Sequence, residues 1–191
     1  MSWKRRVGWA LARLVSQVGS WSHAPRRPVD QTERQVLAEV FGAALDLDAI
    51  EIREDLHGLI NLSRRAFVIE NTMHLPMPAH TAPMQLIVHE ATHVWQFQNG
   101  GHAYITDSLH AQTLGDGYQL EKGLLQGKAW PQLNCEQQAT LVEQAWAQRC
   151  FDGRPFIIRG RDWTPAFEAA RSQWRAGQGA AFTASGGTPD R

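Results

Sequence analysis

Leu86 to Asn99 reads LIVHEATHVWQFQN, and within it His89-Glu90-Ala91-Thr92-His93 sets two histidines four residues apart with a glutamate directly after the first. On an α-helix, residues four apart share one face. His89 and His93 can therefore aim imidazole nitrogens at one point about 2 Å from each, the bond length that zinc requires. Glu90 is turned about 100 degrees away around the helix. That keeps it out of the ligand set but beside a metal-held water, where a general base belongs.

The helical reading comes from the neighbours. Met84, Leu86, Ile87, Val88, Val94, Trp95 and Phe97 leave little polar face, so the segment is expected to be a central, buried helix. Thr81 is the expected N-cap, Pro83 fits the first turn, and Gly100-Gly101 marks the end. By chance alone the motif arises in roughly one chain in sixty of this composition. Without a metal, however, two buried histidines would stand unpartnered, at about 1–3 kcal/mol each.

A catalytic zinc site takes three protein ligands and keeps one position open. The candidate third ligand is Glu136, in the first turn of a helix that Asn134 caps, with Gln137 at the capping-box position of LNCEQQATLVEQAW. Glu143, seven residues on along the same face, is the competitor, or else orients a histidine from behind. His102 and His110 are weaker candidates, His102 because it follows Gly-Gly too closely to return to the site. An oxyanion also needs a facing donor. The only tyrosines, Tyr104 and Tyr118, lie between the two metal-bearing helices, and Tyr118 is the preferred candidate.

Outward from this centre, Ala66–Ile69 and Thr72–Leu75 read as strands of a hairpin turning at Glu70-Asn71. The signal over Ile50–Ser63 is mixed. Asp30 with Glu33 forms a capping-box pattern ahead of a helix whose inner face is Val36, Leu37, Val40, Phe41 and Ala44. A helix is predicted over Ile105–Leu114, and Ala139, Val142, Trp146 and Cys150 form the inner stripe of the helix after Asn134. FIIR at Phe156–Arg159 is a short β-like run or a loop, and Thr164-Pro165 start a last helix through Trp174. Residues 1–28 read as an amphipathic helix (Trp3, Val7, Leu11, Leu14, Val18) and a connector, 29–175 as the main domain, and 176–191 as a disordered tail.

Composition sets the outer bounds. The chain has 191 residues, 43% hydrophobic and 20% charged, with zero formal net charge, so no global field favours nucleic acid or an anionic membrane. No run approaches the roughly 20 apolar residues of a membrane span, and Arg13 and Gln17 interrupt the one stretch that resembles a signal peptide. A soluble protein without a classical signal peptide is expected. Two cysteines supply no disulfide framework; on one helix, Cys135 and Cys150 would stand about 22 Å apart. Eight tryptophans point to a well-filled core or exposed aromatic contacts.

HEATHVWQ followed by NCEQQA resembles the gluzincin class of zinc metallopeptidases, which pair HExxH with a glutamate on a later helix. More narrowly, ENTMHLP, VHEATHVWQFQ and CEQQATLVEQ resemble the metallopeptidase-like domains appended to type VI secretion spike proteins and to related bacterial toxins, over roughly residues 64–150. The resemblance implies an α+β, mainly helical zincin-like fold with a small β-hairpin or sheet before the active-site helix. It implies His89, His93 and Glu136 as ligands of Zn2+ and Glu90 as the catalytic glutamate. Glu70 departs from the pattern, standing where a glycine is expected in the hairpin turn.

The expected function is a zinc metallopeptidase that hydrolyses peptide bonds, an antibacterial effector exported by a non-classical route to a target cell's periplasm. Its partners would be a protein or peptide substrate and a secretion-system or inhibitor protein. The alternatives are a non-catalytic, zinc-stabilised accessory module and a metallohydrolase of another amide or ester.

Overall fold

The computed structural model describes residues 26–54, 66–76, 81–101 and 119–180. Among them the fold is α+β: a four-stranded mixed sheet, five α-helices and a separate two-stranded hairpin. The predicted helix at the N-terminus and the one over Ile105–Leu114 lie outside the described residues.

Strand β1 (Arg26–Pro28) pairs antiparallel with β2 (Glu51–Arg53), so the end of the expected connector is a sheet edge. Helix α1 (Gln31–Phe41) follows, started by the expected capping box: Asp30 Oδ1 accepts from the Glu33 N–H at 2.8 Å and Glu33 accepts from the Asp30 N–H at 2.7 Å. Arg27 grips the same Glu33 with both guanidinium nitrogens, which ties the sheet edge to the helix start. Leu37, Val40 and Phe41 are fully buried.

The predicted hairpin forms as β3 (Phe67–Ile69) and β4 (Thr72–His74), while β4 also runs parallel to β2 with Ile52 opposite Met73. The strand order is β1-β2-β4-β3. Glu70 sits in the turn at φ 56°, in the left-handed region where glycine is at home. The hairpin is joined to the metal-motif helix by the Gln98 Nε2 donor on Asn71 Oδ1, at 3.0 Å.

That helix, α2 (Met84–Gly100), is buried almost continuously from Ile87 to Gln96. Its start differs from expectation. Pro83, not Thr81, is the N-cap, and its carbonyl accepts from the N–H groups of Leu86 (2.8 Å) and Ile87 (3.3 Å). Proline has no side-chain acceptor, so this cap is made by the backbone. At the other end the Gly101 N–H returns to Phe97 O at 2.7 Å.

Helix α3 (Leu120–Leu125) leans closely on α4 (Cys135–Ala147) and the residues just before it: a Cβ at Gly123 would lie 2.9 Å from Leu133 Cδ2 and 3.4 Å from the Gln137 amide. Asn134 and Gln137 form the predicted capping box of α4, at 2.8 and 3.2 Å. Of the expected stripe, Ala139 and Val142 are fully buried, Trp146 is half-buried, and Cys150 lies buried in a 3-10 turn beyond the helix. Both cysteines are free thiols.

The FIIR run is a hairpin of β5 (Ile157–Ile158) and β6 (Arg161–Asp162). Helix α5 (Thr164–Arg175) turns Phe167, Ala170 and Trp174 inward, and Trp174 joins Trp95, Trp130 and Phe151 in an aromatic cluster. After α5 the chain stays packed as far as Ala180; the expected disordered tail otherwise falls on 181–191, outside the described residues. Among the described residues no helix is long and apolar enough to cross a membrane.

Candidate metal centre

Helices α2 and α4 pack against each other and carry the whole cluster. One helical turn stacks His89 above His93, with ring centroids 5.1 Å apart. Glu136, in the first turn of α4, comes in from the side and is 1% exposed. Its Oε2 stands 3.5 Å from His89 Nε2 and 3.6 Å from His93 Nε2. His89, His93 and Glu136 each offer a ligand atom, all within 4.8 Å of one another, so the three could hold a metal ion.

The spacing is informative. Distances of 3.5 and 3.6 Å are too long for good hydrogen bonds. A tetrahedral ion with bonds of about 2.0–2.1 Å separates its ligand atoms by about 3.3–3.4 Å. The two distances from Glu136 to the imidazoles thus lie close to the edge length of such a coordination tetrahedron.

The other face of each imidazole settles which nitrogen is free. His89 Nδ1 lies 2.7 Å from Glu143 Oε2, and His93 Nδ1 lies 2.8 Å from Gln96 Oε1. Both partners are oxygens and acceptors, so each Nδ1 carries the hydrogen and donates it. Nε2 is then the nitrogen of each ring that faces Glu136, and once its proton is displaced by a cation it can offer a lone pair there, so two imidazoles and a carboxylate can converge on one point. That donor set fits a divalent cation of the zinc type.

The carboxylates also shape the electrostatics. Burial alone would depress the His89 imidazolium, yet Glu136 and Glu143, with the charge of Glu90, push it up to about 10. Burial works against His93 in the same way, and Glu136 overrides it, raising that histidine too. Glu90 is driven upward, chiefly by its own burial, against the pull of His93 and His89. Glu90 Oε2 is fully enclosed and, among the described residues, has no hydrogen-bond partner. A buried carboxyl oxygen without a partner is unusual, and here it belongs to the residue directly after the first metal-motif histidine.

Glu143 stands behind His89, on Nδ1, and also accepts from Gln85 Nε2 at 2.8 Å. It is the orienting carboxylate, while Glu136 is the one that meets both Nε2 atoms. Gln96 does for His93 what Glu143 does for His89, and the sequence reading overlooked it. Its signal was its place three residues after His93, on the same helix face. Tyr104, Tyr118, His102 and His110 lie outside the described residues.

No family model matches the sequence, and no curated protein matches it. Among solved structures, the chain is similar to the effector domain of Pseudomonas aeruginosa VgrG2b, with a TM-score of 0.48 and 19% sequence identity, over 89% of this chain and 95% of that one.

Proposed function

We propose that the protein is a zinc-dependent metallopeptidase, with His89 Nε2, His93 Nε2 and Glu136 as the zinc ligands and Glu90 as the general base and acid. The observation that carries the reading is the buried Oε2 of Glu90, unpartnered among the described residues, beside a three-residue cluster that could hold a metal ion. A structural zinc site takes four protein ligands, often cysteines, and has no use for such a carboxyl. Two imidazoles and a carboxylate suit zinc better than the all-oxygen shells of magnesium or calcium.

Zinc held there would supply the charge that brings the pKa of a water toward neutrality. Glu90 would be placed to accept a proton from the attacking water and to hand it to the leaving amine. Its burial matters, because a carboxyl pushed upward by desolvation holds a proton long enough to deliver it. Glu143 and Gln96 keep both imidazoles in the tautomer that leaves Nε2 bare. The oxyanion donor proposed from the sequence is Tyr118.

The resemblance of ENTMHLP, VHEATHVWQFQ and CEQQATLVEQ to domains of type VI secretion spike proteins extends the proposal: a secreted effector acting on peptide bonds in a target cell's periplasm, with a secretion-system or inhibitor protein as partner. The test compares wild type and Glu90→Gln for zinc content and for cleavage of an unstructured protein such as casein. The variant should keep its zinc and lose about 10²–10⁴ of the rate. Equal cleavage by the two forms would overturn the mechanism. Zinc that raises the melting temperature of a protein showing no hydrolysis would favour the accessory module.

A further inference from the structure

We infer that Gln96 is a positioning residue of the metal centre and that a buried chain of side-chain amides, ending on the backbone of Gly179, fixes its orientation. The inference rests on the metal reading above and adds a determinant remote from the ligands.

The chain runs in one direction. His93 Nδ1–H donates to Gln96 Oε1 at 2.8 Å. Gln96 Nε2 donates to Cys135 O and to Gln138 Oε1, both at 3.0 Å. Gln138 Nε2 donates in turn to Trp130 O at 2.9 Å and to Gly179 O at 2.7 Å. Both glutamines are fully buried, so no water competes for their amides.

A side-chain amide has two unlike ends, and a flip exchanges donor for acceptor. Backbone carbonyls only accept. The carbonyls of Trp130 and Gly179 therefore require the nitrogen of Gln138 and turn its oxygen toward Gln96. That oxygen, with Cys135 O, requires the nitrogen of Gln96 and turns the Gln96 oxygen toward His93. A flipped Gln96 would set its own oxygen against two acceptors, Cys135 O and Gln138 Oε1, and forfeit both bonds. The hydrogen of His93 is thus held on Nδ1, and the Nε2 lone pair faces Glu136.

The far end of the chain is built for close approach. Gly179 adopts φ 77°, and a Cβ there would fall 2.5 Å from Trp130 Cδ1 and 2.9 Å from Nε1. The same indole donates from Nε1 to Gln178 O at 3.0 Å. Residues 178–179 are latched onto Trp130, and this latch closes the amide chain. A segment more than 40 residues beyond the last ligand thereby supports a metal-binding histidine.

The experiment measures the zinc dissociation constant of the full chain by chelator competition, for wild type, Gln96→Met, Gln138→Met and Gly179→Ala. It also follows the His93 Nδ1 proton by NMR in the zinc-loaded protein. Gln96→Met should raise the dissociation constant about 10–100-fold, the usual effect of losing a histidine's outer partner. Its Nδ1 proton should exchange rapidly with solvent. Gln138→Met and Gly179→Ala, which touch no ligand, should weaken binding in the same direction by less. Should Gln96→Met fail to fold, these two variants carry the test.

A lower melting temperature with unchanged zinc affinity and an unchanged Nδ1 signal would mean that the amides serve packing alone, and the inference falls. Failure of the wild type to bind zinc overturns the metal reading and the inference with it. Zinc bound equally well by wild type and all variants overturns the inference alone.

Discussion

His74 is buried and His89 largely so, on neighbouring elements, yet their surroundings act on them with opposite sign. On β4, His74 stacks on Phe67 with ring centroids 4.6 Å apart and faces Arg53 in the parallel register. Burial first, then the charges of Arg53 and Arg26, push it down to about 4. On α2, His89 is surrounded by three carboxylates, which overcome burial and raise it to about 10. The same side chain, similarly enclosed, is kept neutral in one region and made an attractor of positive charge in the other. Desolvation is common to both; the sign of the neighbouring charge decides the outcome. The arginines of the sheet half disfavour positive charge on His74, and the carboxylates of the α2–α4 half favour it on His89.

The sharpest way to break this contrast is to remove carboxylates one at a time. Glu136→Ala should take zinc from about one per chain to none, by elemental analysis after purification without chelator. Glu143→Ala should keep zinc with an affinity about 10–100-fold weaker. Equal losses in the two variants would mean that the carboxylates act as a general negative field and not as ligand and orienting partner.

A smaller effect tests the signs through pH. His74, with its folded value near 4 against 6.5 unfolded, stabilises the fold fully above 6.5 and loses that contribution as pH falls toward 4, by about 3 kcal/mol at most. His89 runs the other way: its contribution in the metal-free protein is fully present below 6.5 and is lost as pH rises through about 10. Urea unfolding of the metal-free protein should therefore show stability declining on both sides of neutrality. His74→Phe should flatten the acid limb, and zinc should flatten the alkaline one. An acid limb unchanged in His74→Phe would place the acid sensitivity elsewhere. The least effect belongs to the hairpin turn: Glu70→Gly relieves a left-handed backbone at the cost of a freer unfolded chain, for a net stabilisation below about 1 kcal/mol.

The parts of this arrangement that were readable in the sequence are those with local signatures. HExxH on an apolar run, the capping boxes at Asp30 and Asn134, and the turn at Glu70-Asn71 each rest on residues within four positions of one another. What escaped depends on partners distant in sequence. Three-residue strands such as β1 and β2 are too short to display a period, and the parallel pairing of β2 with β4 has no local mark. Whether Glu136 or Glu143 faces the Nε2 atoms was open because both occupy one helix face, and only the packing of α4 against α2 separates them. Gln96 had its spacing from His93 as a signal, but Gln138 carries neither charge nor apolar period, so nothing marked the buried link between them.

The latch at Gly179 bears on the order in which the chain is made. A nascent polypeptide exposes both histidines of α2 long before Glu136 exists, and Glu136 long before residues 178 and 179 reach Trp130. On the proposed reading, the motif helix alone would be a two-toothed and loosely oriented chelator. The finished centre would form only when the C-terminal turn has docked, so tight metal capture would report that folding is complete, and a chain stalled before residue 179 would hold an ion poorly.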